Sequence, residues 1–86
     1  IICRLYKHMS SITYREILSN NIRHYRSNLN LSQEEFAELT GFHRTYIGSV
    51  ERCERNVTLS TLETFARVLK VSVPEILTQR IKENEK

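Results

Sequence analysis

LSQEEFAELTGFHRTYIGSVERCERN, residues 31–56, is the stretch that decides the fold of this 86-residue chain. Its first half carries Ser32 and, three residues later, Glu35, a capping box in which each side chain satisfies a free backbone N–H of the other residue. We therefore expect a helix to begin at Gln33. Gly41 then supplies the left-handed residue that ends a helix without steric penalty, so this helix has only about two turns.

A second short helix is expected directly after this glycine. His43 stands at the N-cap position, and Phe42 before it and Ile47 after it have the spacing of a hydrophobic staple. The helix should run from Arg44 to about Glu51. Two short helices joined by so tight a turn form a helix-turn-helix motif.

The second motif helix has one apolar side and one polar side. At roughly 100° per residue, Ile47 and Val50 lie together and face the core. The opposite arc holds Arg44, Thr45, Gly48, Ser49 and Arg52. A glycine within a helix costs about 1 kcal/mol relative to alanine. Gly48 therefore indicates either a close approach to the backbone, for instance by base edges in a major groove, or a short helix that tolerates it.

Length and composition indicate one soluble domain. The longest apolar runs fall well short of the roughly 20 residues that cross a bilayer, and IICRLYKHMSS lacks the features of a signal peptide. We therefore expect a cytoplasmic protein without a membrane partner. We assign residues 13–82 to the domain, residues 1–12 to an N-terminal extension in which Met9 is a possible native start, and residues 83–86 to a frayed tail.

Neither metal binding nor catalysis is indicated. Cys3, Cys53, His8, His24 and His43 form no pairs at zinc-site spacing, so we expect free thiols and no cofactor. No serine, histidine or glutamate sits in a recognisable nucleophile context, so we expect a protein that is not an enzyme.

The net charge of +3 permits nucleic-acid binding, but its distribution weakens the argument. Residues 1–30 hold five Arg or Lys against one Glu, whereas residues 31–56 hold three Arg against five Glu. The motif is itself acidic. Charge supports DNA binding only if these glutamates face away from the phosphates. Arg52 and Arg55, in the basic loop after the motif, either reach a phosphate backbone or belong to an ordinary solvated connection.

Three further helices are expected around the motif. One runs from about Tyr14 to Asn28, capped by Ser11 or Thr13, because apolar residues recur there at helical spacing. These residues are Leu18, Ile22, Tyr25 and Leu29. A later helix shows the capping box Ser60 with Glu63 and the apolar residues Leu62, Phe65, Ala66 and Leu69.

The last helix shows the capping box Ser72 with Glu75, and Pro74 in its first turn. Its apolar residues are Val73, Ile76, Leu77 and Ile81. This surface either faces the core or joins two copies of the chain. Because Val73 and Leu77 can both be core, Ile76 and Ile81 are the better candidates for the dimer interface.

Residues 31–77, LSQEEFAELTGFHRTYIGSVERCERNVTLSTLETFARVLKVSVPEIL, resemble the Cro/cI-type helix-turn-helix family, and the resemblance extends back to Leu18. Within it, HRTYIGSVERCERNVTL is similar to restriction-modification controller proteins, whose sequence commonly reads as a variant of HRTYIS followed by VERGERN. The resemblance implies an all-α, five-helix, lambda-repressor-like fold and a homodimer joined through its C-terminal helices. It further implies binding to pseudo-palindromic operators and activation followed by repression, with RNA polymerase as a further partner.

The resemblance also implies which residues contact DNA. Arg44, Thr45 and Ser49 match base-facing positions, and Gln33 matches the glutamine that caps the first motif helix against a phosphate. The positions that approach the backbone or the flanking groove are His43, Tyr46, Arg55 and Asn56.

Arg26 and Glu51 match a partly buried ion pair of the family. Three residues depart from its pattern: Cys53 and Lys70 stand where relatives often carry glycine, and Gly48 replaces a common serine. Two alternatives remain open at this point. The chain can be another regulator of the same fold, such as a phage repressor or an antitoxin, or a protein-interaction module that does not bind DNA.

Overall fold

Five α-helices make up the fold in the computed structural model, which describes residues 12–80. They are α1 (Tyr14–Asn28), α2 (Gln33–Thr40), α3 (Arg44–Glu51), α4 (Leu59–Leu69) and α5 (Val73–Ile76). No strand occurs in this range, so the predicted all-α, five-helix class is confirmed. Within it, no helix combines the length and the apolar character that crossing a bilayer requires. The predicted N-terminal extension up to residue 11, the tail and Ile81 lie outside the described residues.

The ends of the first three helices follow the capping residues. Thr13 caps α1 in a capping box with Glu16, and Ser32 caps α2 in a capping box with Glu35. Gly41 ends α2 with a φ of 84°, as its position predicted. His43 stands at the N-cap of α3, but its side chain makes no capping hydrogen bond, so only the position of that cap was predicted correctly.

Helix α4 begins earlier than the sequence indicated. Thr58 is its N-cap and accepts a hydrogen bond from the backbone N–H of Thr61 at 3.1 Å. Ser60 already lies inside the helix, so the predicted capping box of Ser60 with Glu63 is wrong. Thr58 and Ser60 are both good capping residues, and the hydroxyl that reaches a free N–H of the first turn determines the boundary.

Helix α5 has the predicted capping box of Ser72 and Glu75, but it is a single turn. The chain beyond it is held by Asn21 of α1, which is buried. The side-chain amide of Asn21 donates hydrogen bonds to the carbonyl oxygens of Ile76 at 2.6 Å and Thr78 at 2.8 Å. These bonds satisfy carbonyls that the short helix cannot pair internally.

The core lies between α1, α2, α3 and α4, with α5 closing one side. Phe36 of α2 and Phe65 of α4 pack with their ring centroids 5.4 Å apart at its centre. Ile76 is 0% exposed and belongs to this core. It cannot reach a second copy, so its assignment to the dimer interface is wrong. Val73 and Leu77 pack against the core and stay partly exposed.

A buried ion pair joins α1, α2 and α3. Arg26 donates from Nε to Oε2 of Glu51 at 2.6 Å and from Nη2 to Oε1 at 2.9 Å, which forms the predicted pair. Gln33 adds a hydrogen bond from Nε2 to Oε1 of Glu51 at 2.9 Å. The Glu51 side chain is 3% exposed, so its charge is compensated almost entirely by these protein groups.

Two of the left-handed residues stand where the resemblance expects glycine. Cys53 has a φ of 66° and Lys70 a φ of 63°, so the turns after α3 and α4 keep the backbone that glycine would favour. Each residue with a Cβ is strained there by roughly 1–2 kcal/mol.

The strain at Lys70 gives a first prediction. Lys70→Gly should raise the free energy of unfolding by about 1 kcal/mol, because glycine removes the clash of Cβ in the left-handed conformation. Urea denaturation followed by circular dichroism measures this change. In the matched control Glu63→Gly, in the middle of α4, glycine should lower the stability by about 1 kcal/mol. A loss at both positions would contradict the argument.

The buried ion pair gives a second prediction. Arg26→Met and Glu51→Leu should each lower the free energy of unfolding by about 3 kcal/mol, because each leaves one buried charge without its partner. The double variant should be more stable than either single variant, since it leaves neither charge. A double-mutant cycle in urea measures the coupling. Strictly additive losses would mean that the two residues stabilise the fold independently.

Candidate nucleic-acid interface

The exposed end of α3 carries the strongest candidates for base contacts. Arg44 and Thr45 occupy the first turn of α3, and both side chains are exposed. Ile47 and Val50 lie on the other side of the helix and are buried in the core. The apolar side therefore anchors α3 and holds the two polar residues outward. Their exposure matches the prediction from helical spacing, and their contacts with bases stay a prediction.

Ser49 differs from the prediction. It is 7% exposed, and its hydroxyl donates to the backbone carbonyl of Tyr46 at 2.7 Å. The same oxygen accepts a hydrogen bond from Nε of Arg55 at 3.2 Å. The expectation that Ser49 presents an uncovered side chain to bases is therefore wrong, because the loop after α3 folds back and covers this flank of the helix.

Arg55 is held on this flank by two groups. Besides the Ser49 hydroxyl, the ring of Tyr46 lies beneath its guanidinium, 5.6 Å from Cζ to the ring centroid. Tyr46 is half-buried and packs against Phe42, with ring centroids 5.2 Å apart. Arg55 itself stays exposed. The arrangement presents a fixed positive charge beside α3, since cation and ring attract each other and the hydroxyl fixes the direction of Nε.

The other flank of α3 contains Gly48. A Cβ at this position would lie 3.1 Å from Nη1 of Arg52 and 3.8 Å from Oε1 of Gln33. The close approach to Gly48 therefore comes from the protein's own Arg52. That residue also forms a salt bridge with Glu54, 3.1 Å from Nε to Oε2. Arg52 was left undecided by sequence reasoning, although the four-residue spacing from Gly48 places the two on one side of the helix.

The remaining candidates surround α3. Gln33 is half-buried at the start of α2 and is fixed to Glu51. His43 is exposed in the turn before α3. Asn56 is exposed in the loop after it, and its Oδ1 accepts a hydrogen bond from Nη1 of Arg15 at 3.3 Å. All three belong to the segments around α3, outside its first turn, where Arg44 and Thr45 lie.

The structure also locates the acidic charges of the motif. Glu51 is buried against Arg26, and Glu35 caps α2. Glu54 is paired with Arg52. Glu34 and Glu38 are exposed on α2. None of the five glutamates therefore lies on the exposed first turn of α3, where Arg44 and Thr45 stand.

Comparison with known proteins shows to which family the chain belongs. The profile of the helix-turn-helix family matches residues 22–76. The control protein C.SmaI of Serratia marcescens is 61% identical over 71 residues, which are 83% of this chain and 84% of that protein.

Two crystal structures have the same fold. The hypothetical transcription factor NHTF from Neisseria superposes with a TM-score of 0.78 and 36% identity, over 85% of this chain and 84% of that one. The restriction-modification controller protein C.AhdI from Aeromonas hydrophila gives a TM-score of 0.69 and 35% identity, over 72% of this chain and 94% of that one. The match to the family profile and these relatives show that the chain belongs to the helix-turn-helix family.

Proposed function

We propose that this chain is a transcriptional regulator of the restriction-modification controller type, which binds an operator as a homodimer. The observation that carries the proposal is the first turn of α3, where Arg44 and Thr45 are exposed above a helix anchored by buried Ile47 and Val50. A recognition helix enters the major groove with its N-terminal residues against the base edges. The similarity to the control protein C.SmaI supports the controller assignment.

Arg44 is the principal base-reading residue in this proposal. Its guanidinium can donate to O6 and N7 of one guanine together, a contact worth about 1–3 kcal/mol of discrimination against other bases. Thr45 is the adjacent exposed residue and contributes a hydroxyl and a methyl group. Both belong to the same short, anchored helix, so the bases that they contact are neighbours in the site.

The surrounding residues place the helix rather than read bases. The residues in question lie in α3 or in the segments around it: Gln33 at the start of α2, His43 in the turn before α3, Tyr46 within α3, and Arg55 and Asn56 in the loop after it. Contacts of this kind to phosphate and sugar fix the register of a protein on the duplex. Arg55 supplies the charge for such a contact, since its guanidinium is held outward by Ser49 and Tyr46.

The proposed dimer uses the end of the domain that carries α5. Val73 and Leu77 remain partly exposed there. Ile81, which follows the described residues, stays a candidate, whereas Ile76 is excluded because it is buried in the protomer's own core. Two recognition helices related by a two-fold axis fit successive major grooves about 34 Å apart, so the operator is pseudo-palindromic.

The proposed role places the protein in the cytoplasm and at promoters. As a controller it regulates its own gene and the endonuclease gene, with activation at low occupancy and repression at high occupancy. Activation makes RNA polymerase a second partner. The similarity to C.SmaI supports this role, and the role requires operator binding.

Operator binding is tested with Arg44→Ala. The variant should bind a duplex from the chain's own promoter region about 5- to 150-fold more weakly, because a bidentate guanine contact is worth about 1–3 kcal/mol and each 1.4 kcal/mol is about tenfold in affinity. Its affinity for an unrelated duplex should change much less. Fluorescence anisotropy at two salt concentrations measures both values.

Arg67→Ala is the matched control, because Arg67 is an exposed arginine in the last turn of α4, outside the proposed surface. It should bind like the wild type. Wild-type binding without salt dependence and without sequence preference would contradict operator recognition. Unchanged operator binding by Arg44→Ala would show that Arg44 does not read bases, and a wild-type chain that binds no duplex would favour a module that interacts with proteins.

A further inference from the structure

Arg52 occupies the space that a side chain at position 48 would take. It follows α3 directly as its C-cap, and its guanidinium extends back along the helix until Nη1 lies 3.1 Å from the Cβ position of Gly48. Long side chains on a helix lean toward its N-terminus, so this direction is the ordinary one. The Arg52 guanidinium therefore lies over Gly48 and beside Gln33. This flank of α3 carries a positive charge.

The partner of this guanidinium is exposed. Nε and Nη2 of Arg52 donate to the carboxylate of Glu54 at 3.1 Å and 3.3 Å, and the two side chains are 63% and 53% exposed. Exposed ion pairs of this kind are weak. A phosphate offers the same planar guanidinium two oxygens in the same geometry as the carboxylate. Glu54 therefore holds Arg52 in place and can be exchanged for a phosphate.

The position of Arg52 along α3 favours the DNA backbone over the bases. The Arg52 guanidinium lies beside Gly48, four residues or about 6 Å along the axis from Arg44 at 1.5 Å per residue. It stands on the flank of α3 next to Gln33, and when the first turn of α3 contacts base edges this flank faces the rim of the groove. The phosphates line that rim.

We propose that Arg52 contacts a DNA phosphate and that Glu54 occupies the phosphate's place in the free protein. The proposal rests on the proposed function, because it needs α3 in the major groove. Arg52 would then be a second arginine, besides Arg55, that contacts the DNA backbone beside α3. Arg55 lies over the flank of Ser49 and Tyr46, and Arg52 lies over the flank of Gly48.

The first experiment compares Arg52→Ala with the wild type on the promoter duplex and on an unrelated duplex over a range of salt concentrations. The variant should weaken binding to both duplexes by similar factors. The slope of log K against log salt should become shallower by about 0.9 for each phosphate that Arg52 no longer neutralises, or about twice that for a dimer. Arg67→Ala, with the same change of charge, should leave the slope unchanged.

Two results would overturn the proposal. An unchanged affinity and salt slope would show that Arg52 makes no phosphate contact. A weakening confined to the promoter duplex, with a changed preference at one base pair, would show that Arg52 reads a base. Circular dichroism of both variants checks that the helices are intact.

The second experiment places Gly48→Ala in the wild type and in Arg52→Ala. Alanine favours the helix, so both proteins should fold at least as stably as their parents. The new methyl group requires Nη1 of Arg52, the far end of an exposed side chain, to shift by only a few tenths of an ångström, so DNA binding should stay close to that of the parent in both backgrounds. An equal weakening in both backgrounds would show that DNA itself approaches Gly48, and would overturn the assignment of this close approach to Arg52.

These results are distinguishable from failure of the proposed function. A wild-type chain that prefers no sequence contradicts operator recognition itself, and an Arg44→Ala variant that binds the operator like the wild type contradicts the role given to Arg44. If Arg44→Ala abolishes operator binding while Arg52→Ala keeps the wild-type affinity and salt slope, operator recognition stands and only the phosphate contact of Arg52 is wrong.

Discussion

The orientation of α3, the proposed recognition helix, depends on the buried carboxylate of Glu51. It is the last residue of α3, and it accepts hydrogen bonds from Arg26 of α1 and Gln33 of α2. A carboxylate with this little access to water must keep these partners, so the three helices can shift relative to one another only at a high cost in free energy. Burial of Ile47 and Val50 stabilises the packing of α3 on the core, and the ion pair fixes the orientation of α3 relative to α1 and α2.

Much of the fold could be predicted because its local signals do not depend on the rest of the chain. Ser32 with Glu35 and the left-handed Gly41 fix both ends of α2 within a few residues. The start of α4 was predicted wrongly because Thr58 and Ser60 carry equivalent hydroxyls two residues apart. The choice between them depends on the path of the loop from α3, which local sequence does not specify.

The candidate site was predicted less completely for the same reason. Helical spacing places Arg44 and Thr45 outward, and both are exposed. Spacing alone also places Ser49 outward, yet Arg55 from the following loop covers it. Ile76 likewise reads as surface or core until the packing of α5 is known. In both cases burial is decided by residues outside the helix concerned, and periodicity within one helix carries no information about them.

Asn21 gives α1 a second function besides filling the core. Its amide fixes the chain at the end of α5, while Arg26, further along the same helix, fixes the end of α3. Helix α1 therefore connects the α5 end of the protomer, which is proposed to pair with a second copy, to α3, which is proposed to enter the major groove. In such a dimer, α1 would set the distance between the two copies of α3 and therefore the spacing of the two half-sites. The tolerance for an extra or missing base pair between the half-sites would depend on how rigidly Asn21 and Arg26 hold α1 against α5 and α3.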